Sequence, residues 1–185
     1  YQMNGSYGGC WQAIMRRELF DGSSRPDAIR FQGYFRRGDG EVGCHDDSGQ
    51  IKWHTVDSPD WGEGSGPGII KFMPNGDVQS AGSVVGEYEP YNWTEFQIDY
   101  HWDSNKGEVT HECKIGDGPT ETVTRDEKED EKEFTTFELK SGDFTVFWDE
   151  IVIKEIDGTN PDPGTGIVTG QVTDKAGDSL ADVTL

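Results

Sequence analysis

Side chains able to do acid–base, nucleophilic or metal chemistry are plentiful in this chain, yet few fall at the spacings that chemistry needs. A retaining glycosidase needs two carboxylates roughly 5–5.5 Å apart. Glu155-Ile-Asp157 places two on one face of an extended strand, since alternate residues share a side, but the run leads straight into Gly-Thr-Asn. Glu150 and Glu155 stand at an odd spacing and are expected on opposite faces of a regular strand. No Gly-x-Ser-x-Gly elbow occurs, so the strained turn that exposes a serine nucleophile is missing. Asp103, Asn105 and Gly107 begin like a calcium loop, but its twelfth position is Lys114, where that loop needs Glu. A hairpin turn is expected there instead. Cys10, Cys44 and Cys113 make no C-x-x-C pair and have no ligand spacing with His45, His54, His101 or His111, which argues against a zinc site. Three thiols permit at most one internal disulfide, and its pairing stays open. The expectation is no enzyme and no required cofactor.

Aromatic residues in loop-like stretches offer a different chemistry. Trp61 in "SPDWGEGSG", and Tyr88 and Tyr91 in "EYEPYN", would stack on the apolar faces of pyranose rings if exposed. Trp53, Trp93, Trp102 and Trp148 sit in strand patterns and are expected in the core. Asn4-Gly-Ser6 and Asn92-Trp-Thr94 fit the glycosylation acceptor pattern.

The elements that must position these residues read as strands. Apolar or alternating runs cover 10–20, 28–37, 50–56, 68–73, 93–102, 108–115, 133–139 and 143–155. Phe96, Ile98, Tyr100 and Trp102 alternate strictly, as in a half-buried strand. "FTVFWDEIVI" is continuously apolar, as in a central strand covered on both faces. Turn signals separate the runs, among them Pro74-Asn-Gly-Asp77 and Lys140-Ser-Gly-Asp143. Strands at this spacing with hairpin chemistry between them predict an all-β antiparallel sandwich. "RDEKEDEKE" (125–133) has no apolar face and is expected to be a solvated loop. "DGTNPDPGTG" (157–166) is an extended linker by its prolines and glycines. The domain boundaries expected are 1–156, the linker 157–166, and a second segment 167–185.

Hydrophobic residues are only 32% of the 185, but six Trp, nine Phe and six Tyr argue for a packed core, since disordered chains are aromatic-poor. The net charge of −20 would repel nucleic acid and anionic lipid. It also suits high salt, where dense carboxylates stay hydrated and screened. Six of the seven arginines lie in the first 37 residues. Arg16, Arg17, Arg30, Arg36 and Arg37 are therefore a candidate patch for an acidic neighbour or an anionic glycan, the alternative being pairing with the chain's own carboxylates. No stretch approaches 18 apolar residues, so no membrane span is read here. The start "YQMNGSYGG", without initiator Met or signal peptide, is read as that of a mature or excised fragment.

Two resemblances follow from the residues quoted. "IKFMPNGDVQS", then "YNWTEFQIDYHWDSNKGEV" and the late "FTVFWDEIVIKE", resemble the concanavalin A-like lectin/glucanase sandwiches and related jelly-roll modules. That implies a jelly-roll fold, carbohydrate binding in many members, and glycoside hydrolysis in some. Asp149 resembles the late-strand position through which such modules hold a structural calcium. "GIVTGQVTDKAGDSLADVTL" (166–185) resembles the start of carboxypeptidase regulatory-like, Ig-like domains through Gly170, Val172, Thr173, Asp174, Gly177, Leu180 and Val183. Only its first strands are present, leaving Ile167, Val172, Leu180 and Val183 as an unburied apolar row. A neighbouring subunit could add the missing strands, or the segment is cut from a longer stalk. The expectation is a non-enzymatic extracellular or cell-surface protein acting in adhesion or fibre assembly, with other subunits or surface proteins as partners. The alternatives are a carbohydrate-binding module and a glycoside hydrolase.

Overall fold

Strict alternation of apolar side chains decides which face of each strand turns inward, and the chain obeys it along most of its length. A computed structural model describes residues 2–4, 14–18, 26–41, 47–55, 68–127 and 134–156, with the backbone path alone at 2–4, 14–18, 53–55, 68–69 and 134–136. The strands are β1 (Gln2–Asn4), β2 (Ile14–Glu18), β3 (Ala28–Gly40), β4 (Gly49–Thr55), β5 (Gly68–Phe72) and β6 (Asp77–Ser80). They continue with β7 (Ser83–Glu87), β8 (Thr94–Asp103), β9 (Glu108–Ile115), β10 (Thr120–Asp126), β11 (Phe134–Ser141) and β12 (Phe144–Glu155).

These make two six-stranded antiparallel sheets. The first has the order β1-β12-β3-β8-β9-β10, and the second β2-β11-β4-β5-β6-β7. The expected all-β sandwich is the observed architecture. Every expected run contains a strand, while β1, β6, β7 and β10 fall outside those runs. Arg125 and Asp126 of the expected charged loop instead end β10. Among the described residues, no helix is long and apolar enough to cross a membrane.

The core lies between the sheets. Phe31 and Phe35 of β3, Phe96, Ile98, Tyr100 and Trp102 of β8, and Val146 and Trp148 of β12 face inward from the first sheet. Ile51, Ile70, Phe72, Val78, Val85, Phe137 and Leu139 meet them from the second. At the centre Phe35 stacks on Phe72 at 3.9 Å between ring centroids, and Trp148 packs beside both at 4.9 and 5.6 Å. Each such ring contributes roughly 2–3 kcal/mol by leaving water.

The continuous apolar run of β12 has a different cause from the one expected. Its outward residues Thr145 and Phe147 are half-buried and Asp149 is exposed, so this face is not covered. A β-bulge between Asp149 and Val152 shifts the register against β3, with Glu150 in left-handed backbone at φ 48°. The bulge carries Ile151 in over Gly33, where a Cβ would stand 2.6 Å from its Cδ1. An extra apolar residue therefore reaches the core side, which destroys the simple alternation.

The calcium-like stretch after β8 is a hairpin turn. Asp103 accepts bonds from the Asn105 and Lys106 backbone N–H groups at its carboxylate, and Gly107 bonds its carbonyl at 2.8 Å. Gly107 takes the positive φ that closes the turn.

Candidate functional site

One segment, 83–95, leaves the second sheet, passes the end of the sandwich and enters the first. β7 is the last strand of its sheet, and Gly86 lets it approach the neighbouring layer, since a Cβ there would lie 2.6 Å from Ile115 Cβ. The next residue with a large ring, Tyr88, turns inward. It packs edge-on against Phe35 at 5.3 Å and Phe72 at 5.8 Å. Its hydroxyl donates to the Met73 carbonyl at 2.7 Å and lies 3.1 Å from the Ser48 hydroxyl. At 5% exposure, Tyr88 has no free face for a sugar. The sequence expectation for it is corrected: its hydroxyl finds partners inside, so the polar end does not hold the ring in water.

The chain then turns through Glu89-Pro90-Tyr91-Asn92, closed by the Asn92 N–H on the Glu89 carbonyl at 3.2 Å. Proline takes the second position and Tyr91 the third, with φ 71°. That is the type II pattern, whose third residue is ordinarily glycine. Tyr91 is held there by its N–H on the Arg37 carbonyl at 2.8 Å. Its ring is 58% exposed, with the Arg37 guanidinium 5.9 Å from the centroid. A bulky residue in left-handed backbone is a strained one, a feature that clusters at binding sites.

Trp93 follows, and it too departs from expectation. It is 44% exposed rather than in the core. It stands just before β8, and its number is odd like the outward Glu95 and Gln97 and unlike the inward Phe96 and Ile98, so the parity of that strand, carried back one residue, points it out. That parity was the available signal. The indole is pinned by the Arg36 guanidinium 5.0 Å from its centroid, which also lies 4.2 Å from Phe147. Trp93 meets Phe147 edge-on at 6.4 Å.

Trp93 and Tyr34 line an open groove of about 950 Å³ between β7 and the β9–β10 turn at Gly116–Pro119. Val84, Gly86 and Ile115 supply its apolar surface, and Glu87, Glu89, Glu95, Asp117 and Glu121 its carboxylates. Among the described residues, no lysine or arginine lines it. An exposed indole held from one side, with acceptors around it, suits a ligand having apolar faces and many hydroxyl donors. Tyr34, missed from the sequence, has the same outward parity relative to Phe31 and Phe35.

The remaining expected site residues are scattered. Arg30 makes a two-point ion pair with Asp99, Nε to Oδ1 at 2.7 Å and Nη2 to Oδ2 at 2.6 Å. Arg37 crosses to the other sheet and donates to the Pro74 carbonyl at 2.7 Å. With Arg36 over Trp93 and Phe147, these three do not form one flat cationic patch. Their interactions are within the chain, one with a carboxylate and two with rings or a carbonyl. Asp149 is exposed, and its carboxylate accepts the Glu150 N–H at 2.9 Å at the bulge. Asn92 is exposed, and its side-chain amide donates to Glu89 at 2.6 Å. Cys113 is a buried free thiol, and burial pushes its pKa up to about 12. Trp61, Cys10, Cys44, the linker and Ile167, Val172, Leu180 and Val183 lie outside the described residues. So do the side chains of Asn4, Arg16, Arg17 and Trp53.

No family model and no curated protein matches the chain. Solved structures do. They include peanut lectin with a 9mer peptide, at 10% identity and TM-score 0.46, covering 81% of this chain and 85% of that one. Another is the carbohydrate binding module CBM66 from Bacillus subtilis, at 9% identity and TM-score 0.46, covering 82% and 90%. A third is a GH131 beta-glucanase catalytic domain from Podospora anserina, at 14% identity and TM-score 0.39, covering 84% and 71%.

Proposed function

We propose that this sandwich is a non-enzymatic glycan-binding module that works outside the cell, its ligand lying along the groove beside Trp93. The observation that carries this reading is the exposed, Arg36-pinned indole at the mouth of a groove rimmed by carboxylates. An indole fixed in place loses little side-chain entropy when a ring stacks on it, which favours binding. Adhesion is the natural use of such a module at a surface. Assembly through an arginine patch is less well supported, because Arg30, Arg36 and Arg37 are already engaged within the chain.

The test is a screen of neutral oligosaccharides by tryptophan fluorescence and calorimetry, repeated with Trp93→Ala. A bound glycan should quench or shift the emission. The substitution should weaken binding by about 1–3 kcal/mol, roughly fivefold to 150-fold, with the melting temperature little changed. Equal affinity in the variant, or silence across the screen, would sink the reading.

A further inference from the structure

A second cluster lies on the outer face of the first sheet, away from the groove. Asp99 and His101 are two residues apart on β8, so both project to the same side. Glu112 stands directly across from Asp99 on β9. One donor atom from each of the three lies within 4.8 Å of the others.

Two features of this trio carry a cost. Asp99 and Glu112 are like charges placed directly opposite on antiparallel strands, a destabilising pair that the Arg30 ion pair with the buried Asp99 offsets only on the Asp99 side. The Nε2 atom of His101 is buried with no hydrogen-bond partner, so its lost hydration is not repaid. A cation held by one ring nitrogen and the two carboxylates relieves the like-charge cost, and bound through Nε2 it also gives that nitrogen a partner.

We infer that Asp99, His101 and Glu112 bind a divalent transition-metal ion such as Zn²⁺, with water completing its coordination. The donor set decides the class. Calcium and magnesium take oxygen ligands, whereas imidazole selects the later first-row metals. Metal–ligand bonds of about 2.0–2.2 Å require only a small closing of side chains already within 4.8 Å. Arg30 acts behind the site. Its two bonds to Asp99 fix the carboxylate as outer-shell partners do, and with Gln97 Nε2 3.5 Å from Oδ2, Oδ1 is the oxygen that offers a lone pair to the ion. With a neutral imidazole, the two carboxylates and Arg30 sum to one negative charge, so a dication is attracted.

The experiment is calorimetry and equilibrium dialysis of the full chain with ZnCl₂, MnCl₂ and CaCl₂. One saturable zinc site is expected, with manganese weaker and calcium at least tenfold weaker. His101→Ala and Glu112→Gln should each lower zinc affinity tenfold or more. In the unsubstituted chain, zinc should shift the NMR signals of the His101 ring, which reads the same site without altering the fold. Binding untouched by both substitutions, calcium held as tightly as zinc, or an unmoved His101 signal at saturating zinc would each overturn the inference.

Discussion

His111 belongs to the core, and its titration is the cleanest single-residue handle on stability. The ring stacks on Tyr100 at 4.0 Å, and Nδ1 lies 2.6 Å from the Ser80 hydroxyl. Burial, with a smaller push from the Arg125 charge, lowers its pKa to about 3. The unfolded chain takes up that proton near pH 6.5, so between the two values the unfolded state holds more protons. Stability from this group is complete above pH 6.5 and is lost as pH falls toward 3, at up to about 1.4 kcal/mol per pH unit. The urea midpoint should therefore drop between pH 6.5 and 5, a window where most carboxylates remain charged. In His111→Leu the drop should flatten; an equally steep slope there would contradict the assignment. Two neighbouring aromatics mark what could be read at this scale. Trp93 was legible in the parity of β8, the strand it leads into. Tyr88 was not, because its partners Met73, Ser48 and Phe35 come from distant parts of the chain.

At the scale of elements, Gly86 holds β7 against β9 and so sets the floor of the groove. A methyl there would lie 2.6 and 2.7 Å from Ile115 Cβ and Cγ1, atoms that a branched side chain cannot swing away. Gly86→Ala should cost about 1–3 kcal/mol. Gly86→Ala combined with Ile115→Ala should recover part of that loss in a denaturation cycle; strict additivity would show that the two do not meet. Hairpins with Asn-Gly or Asp-to-Gly turns, and strands such as β8 with a clean period, were legible because their signals are local. The β12 bulge was hidden, since it is defined by its register against β3. The outward row Gln50, Lys52, Glu138 and Lys140 was equally opaque. Its alternation with Ile51, Phe137 and Leu139 reads as a wet face, yet all four are buried. Burial, then the neighbouring Lys140, lowers the Lys52 pKa to about 8. A two-residue period tells which side a residue faces and is silent on what lies over that side.

For the whole molecule, 36 acidic against 16 basic residues mean that the folded state concentrates negative charge. Salt screens that repulsion within about 10 Å at 0.1 M and about 3 Å at 1 M. The melting temperature should rise by roughly 3 °C or more between 0.1 and 2 M NaCl, corresponding to about 1 kcal/mol. A flat or falling curve would mean that attractive pairs such as Arg30 with Asp99 outweigh the net charge. The topology has a mechanical consequence as well. β1 and β12 are antiparallel neighbours, with Gln2 opposite Phe147 and Asn4 opposite Thr145. The chain thus arrives through β1 from the same end toward which β12 departs. A tension applied at Gln2 and at Glu155 loads that short pairing of three residues on one flank of β12 and the much longer β12–β3 pairing on the other. The three-residue pairing should therefore part first, while β12 stays held by β3 and by its own core side chains Val146 and Trp148.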